Sequence, residues 1–421
     1  MFLQGCILLM TDNNMHILFL TDNFPPEVNA PASRTYEHCR EWIRAGHKVT
    51  VITCVPNFPA GKVFEGYKNS LWQTEDMDGI HVIRVWSYIT ANSGFLKRIL
   101  DYISFMPPAV FASFFVKNPD LVIGTSPQFF TVCAAYLVSF FKRIPFVFEL
   151  RDIWPESIKA VGAMNDSIII RALEKIELFL YRKAKIIVSV THAFKKTLID
   201  RGIDGEKIHV ITNGVDVSRF FKADKDCALV EELGLQGKFI AGYVGTHGMA
   251  HHLETILDAA AIAQIHNKDI RFLLLGNGAR KQELIDRSVE MGLNNIIFVD
   301  SVPKADVARY WSLLDVSIIH LKKIELFTSV IPSKLFECMA MGIPILHGVL
   351  GESAEIVKSN QVGFTFEPEN SKELYDKLLV LKDNPDIYQG FHKHAIEASN
   401  KYDRSVLANQ FLKLLSALEK A

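Results

Sequence analysis

Short apolar, β-rich runs recur along this chain, each followed by a stretch of helical periodicity, and past residue 213 the whole pattern starts again. From Met15 onward the runs are Ile17 to Leu20, Val49 to Cys54, Val82 to Trp86, Leu121 to Thr125, Phe146 to Glu149 and Ile186 to Val190. Near-continuous apolar character is what a parallel strand covered on both faces requires. The helical stretch Ala32 to Ala45 stops at Gly46 and sets Tyr36, Cys39 and Ile43 on one face. Strand, crossover helix and strand make a βαβ unit. The second series is Ile240 to Val244, Arg271 to Leu275, Ile296 to Val299, Val316 to His320 and Ile343 to Leu346, with helices starting near His252, Arg280, Lys304, Ser333 and Ser353. Between the series, Asn213 to Gln236 is polar, charged and irregular, as a linker is. The expected fold is α/β, two doubly wound Rossmann-like domains over 15–212 and 213–399, with a C-terminal helix at about 400–421 packing back on the first. In open sheets of this kind ligands bind beyond the carboxyl ends of the strands, so the active site is expected in a cleft where two domains face each other.

Charge and cysteines narrow the class. The 421 residues carry a formal net charge of -1, so no long-range attraction recruits a polyanion, and nucleic acid is not an expected partner. Cys6, Cys39, Cys54, Cys133, Cys227 and Cys338 are scattered without a C-x-x-C and read as buried free thiols of a reducing compartment. The opening MFLQGCILLM lacks a basic flank and is cut short by Thr11 to Asn14, so it reads as neither signal peptide nor membrane span.

The most informative segment runs from Ile331 to Pro344. Pro332 and Ser333 open a helix that Gly342 and Pro344 close. Lys334 and Glu337, three apart, share a face near its N-terminus. Free N–H groups and the positive dipole end suit a phosphate, and a lysine there adds a point charge. A carboxylate one turn on can accept from the vicinal hydroxyls of a ribose. The pair thus describes a nucleotide-diphosphate clamp; the same spacing also fits an i,i+3 ion pair on a solvated helix.

With three further pieces in order, Phe24-Pro25-Pro26 to Arg34, Arg151-Asp152-Ile153-Trp154-Pro155-Glu156-Ser157 and Asn213-Gly214-Val215-Asp216, this segment resembles the GT-B retaining glycosyltransferases of family 4, in the branch with P-S-K-L-x-E. The D-I-W-P-E-S and P-S-K-L-F-E runs look like transferases of bacterial O-antigen and capsule assembly, including N-acetyl-L-fucosaminyltransferases. The resemblance spans essentially Met15 to the C-terminus. It implies a UDP-sugar donor, a lipid-diphosphate-linked saccharide acceptor, no metal or other cofactor, and a cytoplasmic protein peripheral on the inner face of the cell membrane.

The departures from that pattern matter equally. The glutamate that holds donor-sugar hydroxyls falls on Ser329, with Glu325 nearby as a substitute. The usual diphosphate-binding Arg and Lys fall on Thr246 and His251. Phosphate binding then leans on Lys334, on backbone N–H groups of Gly245 to Gly248 around His247, and on Arg280. A histidine carried by many relatives is Arg151 here. The turn Gly276-Asn277-Gly278 resembles a dinucleotide fingerprint, but its third glycine position is Lys281; in the family this turn approaches the nucleotide. Asp300 to Pro303, with Val302 and Pro303, is where relatives meet the base.

Two D-x-D triplets, Asp76-Met77-Asp78 and Asp224-Lys225-Asp226, have carboxylate spacing suited to a divalent ion, yet both read as solvated turns. His247, His251 and His252 lack a convergent carboxylate or cysteine, so phosphate or sugar contact is the better reading. By analogy with the family, Lys334, helix dipoles and the backbone turn stabilise the departing diphosphate. Glu149, Arg151, Asp152, Glu27 and Arg34 are candidates to hold the acceptor or the transferred sugar, and Arg151 with Asp152 also fits a structural pair. Phe95 to Phe115 mixes aromatics with basic residues as an interfacial helix does, or as a phenylalanine-rich core does. A sugar-nucleotide epimerase of the same architecture and a non-catalytic saccharide- or membrane-binding protein are the competing functions.

Overall fold

A computed structural model describes residues 14–58, 60–90, 95–154 and 168–418. They divide into two compact units, Met1–Thr212 with Arg404–Ala421, and Asn213–Asp403. Pro155, Glu156 and Ser157 lie outside the described residues.

The strands of the first unit are β1 (His16–Leu20), β2 (Lys48–Thr53), β3 (Trp72–Met77), β4 (Ile80–Val85), β5 (Leu121–Thr125), β6 (Phe146–Leu150), β7 (Ile186–Ser189) and β8 (Ile208–Val210). They form one sheet in the order β3-β4-β2-β1-β5-β6-β7-β8. All neighbours are parallel except β3 and β4. All five residues of β1 are buried, as a central strand covered by helices on both faces must be. The helices are α1 (Ala30–Arg44), α2 (Phe95–Ser113), α3 (Phe129–Lys142), α4 (Ile168–Lys183) and α5 (His192–Asp200). Asn29 caps α1 by accepting from Ala32 N at 2.8 Å, and Gly46, at φ +92°, follows its end.

The second unit holds β9 (Phe239–Val244), β10 (Ile270–Leu275), β11 (Ile296–Val299), β12 (Val316–His320), β13 (Ile345–Gly348) and β14 (Gly363–Thr365), all parallel, in the order β11-β10-β9-β12-β13-β14. Its helices are α6 (Cys227–Glu232), α7 (Glu254–His266), α8 (Lys281–Glu290), α9 (Val307–Trp311), α10 (Lys334–Met341), α11 (Glu352–Asn360), α12 (Ser371–Asp383) and α13 (Pro385–Ser399). In each sheet the strand order reverses beside the first strand, at β1/β5 and at β9/β12, and a doubly wound sheet opens its ligand crevice at that switch point.

The last helix, α14 (Arg404–Leu418), belongs to the first unit. Trp42 Nε1 donates to Ala408 O at 3.0 Å, Phe411 meets Trp42 edge to face, and Arg404 pairs with Glu37. Burying Phe411 completely contributes roughly 1.5–3 kcal/mol.

Some local expectations hold and others need correction. The stretch Asn213 to Gln236 is not a bare linker: it contains α6, and Phe220, Leu229 and Leu235 are buried in the second unit's core. Asp76-Met77-Asp78 closes the β3/β4 hairpin, where Gly79 N donates to Asp76 Oδ1 at 3.0 Å and Tyr36 bonds Asp78. Asp226 caps α6 through Leu229 N and pairs with Arg309 at 2.7 Å, while Lys225 pairs with Asp315 at 2.7 Å. Among the described residues no group of three His, Cys, Asp or Glu is placed to hold a metal ion. Cys39, Cys54 and Cys338 are buried free thiols, whereas Cys227 is exposed.

Candidate functional site

In the second unit two glycine turns lie against each other at the ends of β9 and β10. Gly245, Gly276 and Gly278 have φ of +146°, +147° and +157°. A Cβ on Gly276 would lie 1.8 Å from Gly245 O, and one on Gly278 2.5 Å from His247 O. Only glycine lets the two backbones approach this closely. His247 N donates to Asn277 O and Arg280 N to His247 O, both at 2.9 Å, so the turns are laced into one surface. Lys281, at the missing third glycine, is a staple: its Nζ donates to Gly276 O at 2.9 Å, Val299 O at 3.0 Å and Asp300 Oδ1 at 2.6 Å. That ties the turn to the end of β11 and explains why the dinucleotide fingerprint is absent.

Lys334, the first residue of α10, reaches this surface. A Cβ on Gly245 would lie 2.5 Å from its Nζ, which sits 3.8 Å from the ring centroid of Tyr243. Burial lowers the Lys334 ammonium to about 8, against the raising charges of Cys338 and Glu337. A dianion arriving here would raise it again. Glu337 Oε2 accepts from Trp311 Nε1 at 3.1 Å, which orients the carboxylate from a fully buried indole. Ser333 occupies the N-cap position with helical backbone and makes no side-chain capping bond.

The other candidates of this unit separate. Thr246 and Asn277 are exposed on the two turns. His247 is fully buried, with neither ring nitrogen hydrogen-bonded, and burial followed by the charges of Lys281 and Lys334 lowers it to about 4. Its expected direct contact with ligand is corrected: the ring lies beneath the turn, and only its backbone belongs to the surface. His251 is lowered to about 4 by burial and then by Lys334. Its carbonyl accepts from His320 Nδ1 at 2.8 Å while His320 Nε2 accepts from Glu369 N, which holds His320 neutral. Arg280 is not a free phosphate ligand, because its guanidinium pairs with Glu254 at 2.6 Å and Glu283 at 2.5 Å. Val302 packs against the core and Pro303 is exposed beyond β11. Glu325 is exposed on a 3-10 turn, Glu325–Ser329, and Ser329 Oγ closes that turn on Leu326 O at 3.0 Å.

In the first unit the candidates also divide. Arg34, expected to be available to substrate, is buried, and all three guanidinium nitrogens are engaged: Nε with Glu149 Oε1 at 2.9 Å, Nη1 with Thr212 O at 2.6 Å, Nη2 with Ile211 O at 2.9 Å. It fastens α1 to the ends of β6 and β8. Burial alone would raise the Glu149 carboxyl, but the charges of Arg34 and Arg151 hold it below its ordinary value. Arg151 is different: its Nε and Nη1 have no hydrogen-bond partner among the described residues, and burial lowers it to about 10. Ser126 Oγ, which sequence reasoning missed, accepts from the backbone N–H groups of Arg151 and Asp152 at 2.8 and 3.2 Å and shapes that strand end.

Glu27 accepts from Asn57 N and Phe58 N at 2.7 and 2.8 Å, and burial raises it to about 7. Beside it Asp22, also missed, is raised to about 7 by burial and then by Asp101, and accepts from Gln128 Nε2 at 2.8 Å. Asp22, Asn29, Asn57, Phe58 and Gln128 line a cavity of about 260 Å³ beyond β1 and β5. An aspartate opening a turn and a glutamine before a helix carry no signal of their own in a sequence.

Residues 32–219 match the model described as Glycosyltransferase Family 4, and residues 229–399 the one described as Glycosyl transferases group 1. The chain is a glycosyltransferase of GT-B architecture, with a family 4 first domain and a group 1 second domain. It is 26% identical over 343 residues, 78% of this chain and 82% of the other, to WcaI of Escherichia coli (strain K12), whose name assigns it to colanic acid biosynthesis as a glycosyl transferase. It is similar in fold to sucrose-phosphate synthase from Thermosynechococcus elongatus, with a TM-score of 0.75, 16% identity, and 97% and 100% of the two chains covered. It is likewise similar to Anabaena HepE in complex with UDP and glucose, with a TM-score of 0.70, 17% identity, and 96% and 100% covered. At these identities the two structures establish the fold.

Proposed function

We propose that this glycosyltransferase moves a sugar from a UDP-sugar to a lipid-diphosphate-linked saccharide in the assembly of a bacterial surface polysaccharide, with retention at the anomeric carbon. The observation that carries the reading is the approach of the Lys334 ammonium to the Gly245 turn, where a cation and two close-packed glycine turns converge at a switch point. On this reading Lys334 neutralises the departing diphosphate, the two turns receive its oxygens, and Glu337 takes the ribose hydroxyls from its Trp311-set orientation. Arg151, with open nitrogens beside Glu149, holds the transferred sugar or the acceptor in the first unit. The WcaI likeness supports a polysaccharide product, and the HepE complex supports UDP. N-acetyl-L-fucosamine, suggested by the D-I-W-P-E-S and P-S-K-L-F-E runs, is the first donor sugar to test.

The test is calorimetry of the full chain with UDP, GDP and dTDP and their sugars, followed by UDP release and product analysis with and without EDTA. UDP binding that Lys334→Ala weakens severely, and a new glycoside formed in EDTA, are expected. UDP bound equally well by Lys334→Ala, or a rearranged donor with no glycoside, would overturn the proposal; loss of activity in EDTA would overturn its metal-free form.

A further inference from the structure

The first unit carries a patch of exposed aromatic rings that its core does not use. Phe105, Ala109 and Ala112 of α2 are buried, so one side of this helix serves the core. At its end and just beyond, Phe111, Phe114 and Phe115 are 63%, 53% and 61% exposed. At the end of α3, Phe140 and Phe141 are 65% and 55% exposed, and Trp72, which opens β3, is 40% exposed. The rings touch one another across these elements: Trp72 meets Phe115 at 5.4 Å between centroids, Phe111 meets Phe115 at 5.3 Å, and Phe114 meets Phe141 at 5.9 Å. At roughly 200 Å² for a fully exposed aromatic side chain, the patch presents on the order of 600–700 Å², beyond the largest apolar patch usual for a monomer.

Its rim is cationic. Lys117 follows the α2 rings, and Lys142 and Arg143 follow the α3 rings, in a chain whose overall formal charge is -1. Lys117 and Arg143 are exposed, and the Lys142 Nζ donates to Val116 O at 2.9 Å, which keeps its charge at the edge of the patch. The neighbouring acid, Asp120, turns to the backbone N–H of His16 at 2.6 Å. Aromatic rings inside a ring of lysine and arginine fit the boundary between acyl chains and anionic headgroups. Among the described residues no helix is long and apolar enough to cross a membrane, so insertion here is shallow.

We propose that this discontinuous face, built from the ends of α2 and α3 and the start of β3, is where the protein seats on an anionic lipid bilayer. It deepens the transferase reading, since seating the first unit on lipid brings the enzyme to a lipid-linked acceptor. The sequence left Phe95 to Phe115 open between an interfacial helix and a phenylalanine-rich core; the fold buries one side of that helix and recruits Phe140, Phe141 and Trp72, distant in sequence.

The test is flotation of the full chain with vesicles of phosphatidylcholine alone or phosphatidylcholine with phosphatidylglycerol. The wild type is expected to float with the anionic vesicles and weakly with the neutral ones. Phe114→Ser/Phe115→Ser/Phe141→Ser is expected to lower the vesicle-bound fraction at least about tenfold, and Lys117→Glu/Arg143→Glu to remove the preference for anionic lipid, at about fivefold per charge. UDP calorimetry and thermal unfolding, expected to be unchanged in both variants, report the transferase site and the fold separately, and a wild type that binds no UDP would sink the function proposal without touching this one. A wild type that ignores anionic vesicles, a triple variant that floats undiminished, or a wild-type dimer that the triple variant dissolves while neither floats would overturn the proposal, the last outcome giving the patch to a second copy.

Discussion

The two units place a cation at the carboxyl end of a doubly wound sheet in opposite ways. In the first, Arg34 is buried with every nitrogen engaged, by Glu149 and two backbone carbonyls. In the second, Lys334 lies against the face of Tyr243 and the Gly245 turn with its charge partly desolvated. A fully satisfied cation holds a fold together, whereas a poorly satisfied one gains most from an arriving anion. The first-strand turns differ in the same sense: carboxyls raised to about 7 stand beyond β1, and an ammonium lowered to about 8 with neutral imidazoles beyond β9. One scaffold thus sets a cation against glycine turns in the second unit, and in the first a cavity beside carboxyls raised by burial.

The sharpest way to break this contrast is to exchange the consequences of losing each cation. Arg34→Ala removes the cation hydrogen-bonded to the buried Glu149 and leaves only the charge of Arg151 beside it, and is expected to cost about 3–5 kcal/mol of stability, read by denaturant unfolding. Lys334→Ala is expected to leave unfolding within about 1 kcal/mol of wild type while weakening UDP binding roughly 100-fold, read by calorimetry. Equal effects of the two substitutions on stability would erase the distinction.

Acidity sharpens it further. Lys334 must carry its proton to bind a diphosphate, so UDP affinity is expected to hold below about pH 8 and to fall up to about tenfold per pH unit above it. Glu337→Gln should keep that pH profile while weakening affinity overall; a profile flat to pH 10 in the wild type would remove Lys334 from the site. The smallest effect belongs to the first unit. The Asp22 carboxyl is raised on folding, so its contribution to stability is full below its ordinary value near 3.8 and is lost as pH rises through about 7. Asp22→Asn is therefore expected to flatten the decline in melting temperature between about pH 4 and pH 7 by a few degrees; an unchanged slope would deny that Asp22 titrates there.

Much of the fold was legible because a parallel sheet demands it. The strands β5 and β12 stand where the apolar runs lie, since a strand covered on both faces must be apolar throughout. The edge strand β3, Trp72–Met77, was not legible: its alternating, partly exposed residues form no apolar run, and its place comes from pairing with β4. The short β8 and β14 escaped for lack of length. At the site, Lys334 and the glycine turns were visible as types at a spacing, but Arg280 was visible only as a cation. That Glu254, from a different helix, meets it is a long-range contact that no spacing encodes.

What the amino-acid order determined alone was the alternation of strand and helix, the restart that makes two sheets, and the glycines without which the β9 and β10 turns collide. Periodicity and backbone sterics act over a few residues, so a single sequence carries them. What only the tertiary structure decided was which charges are free. Burial and partnership arise between segments far apart in the chain, and they separate Arg34 from Lys334, sink His247 beneath its own turn, and gather six aromatic rings from three elements into one surface.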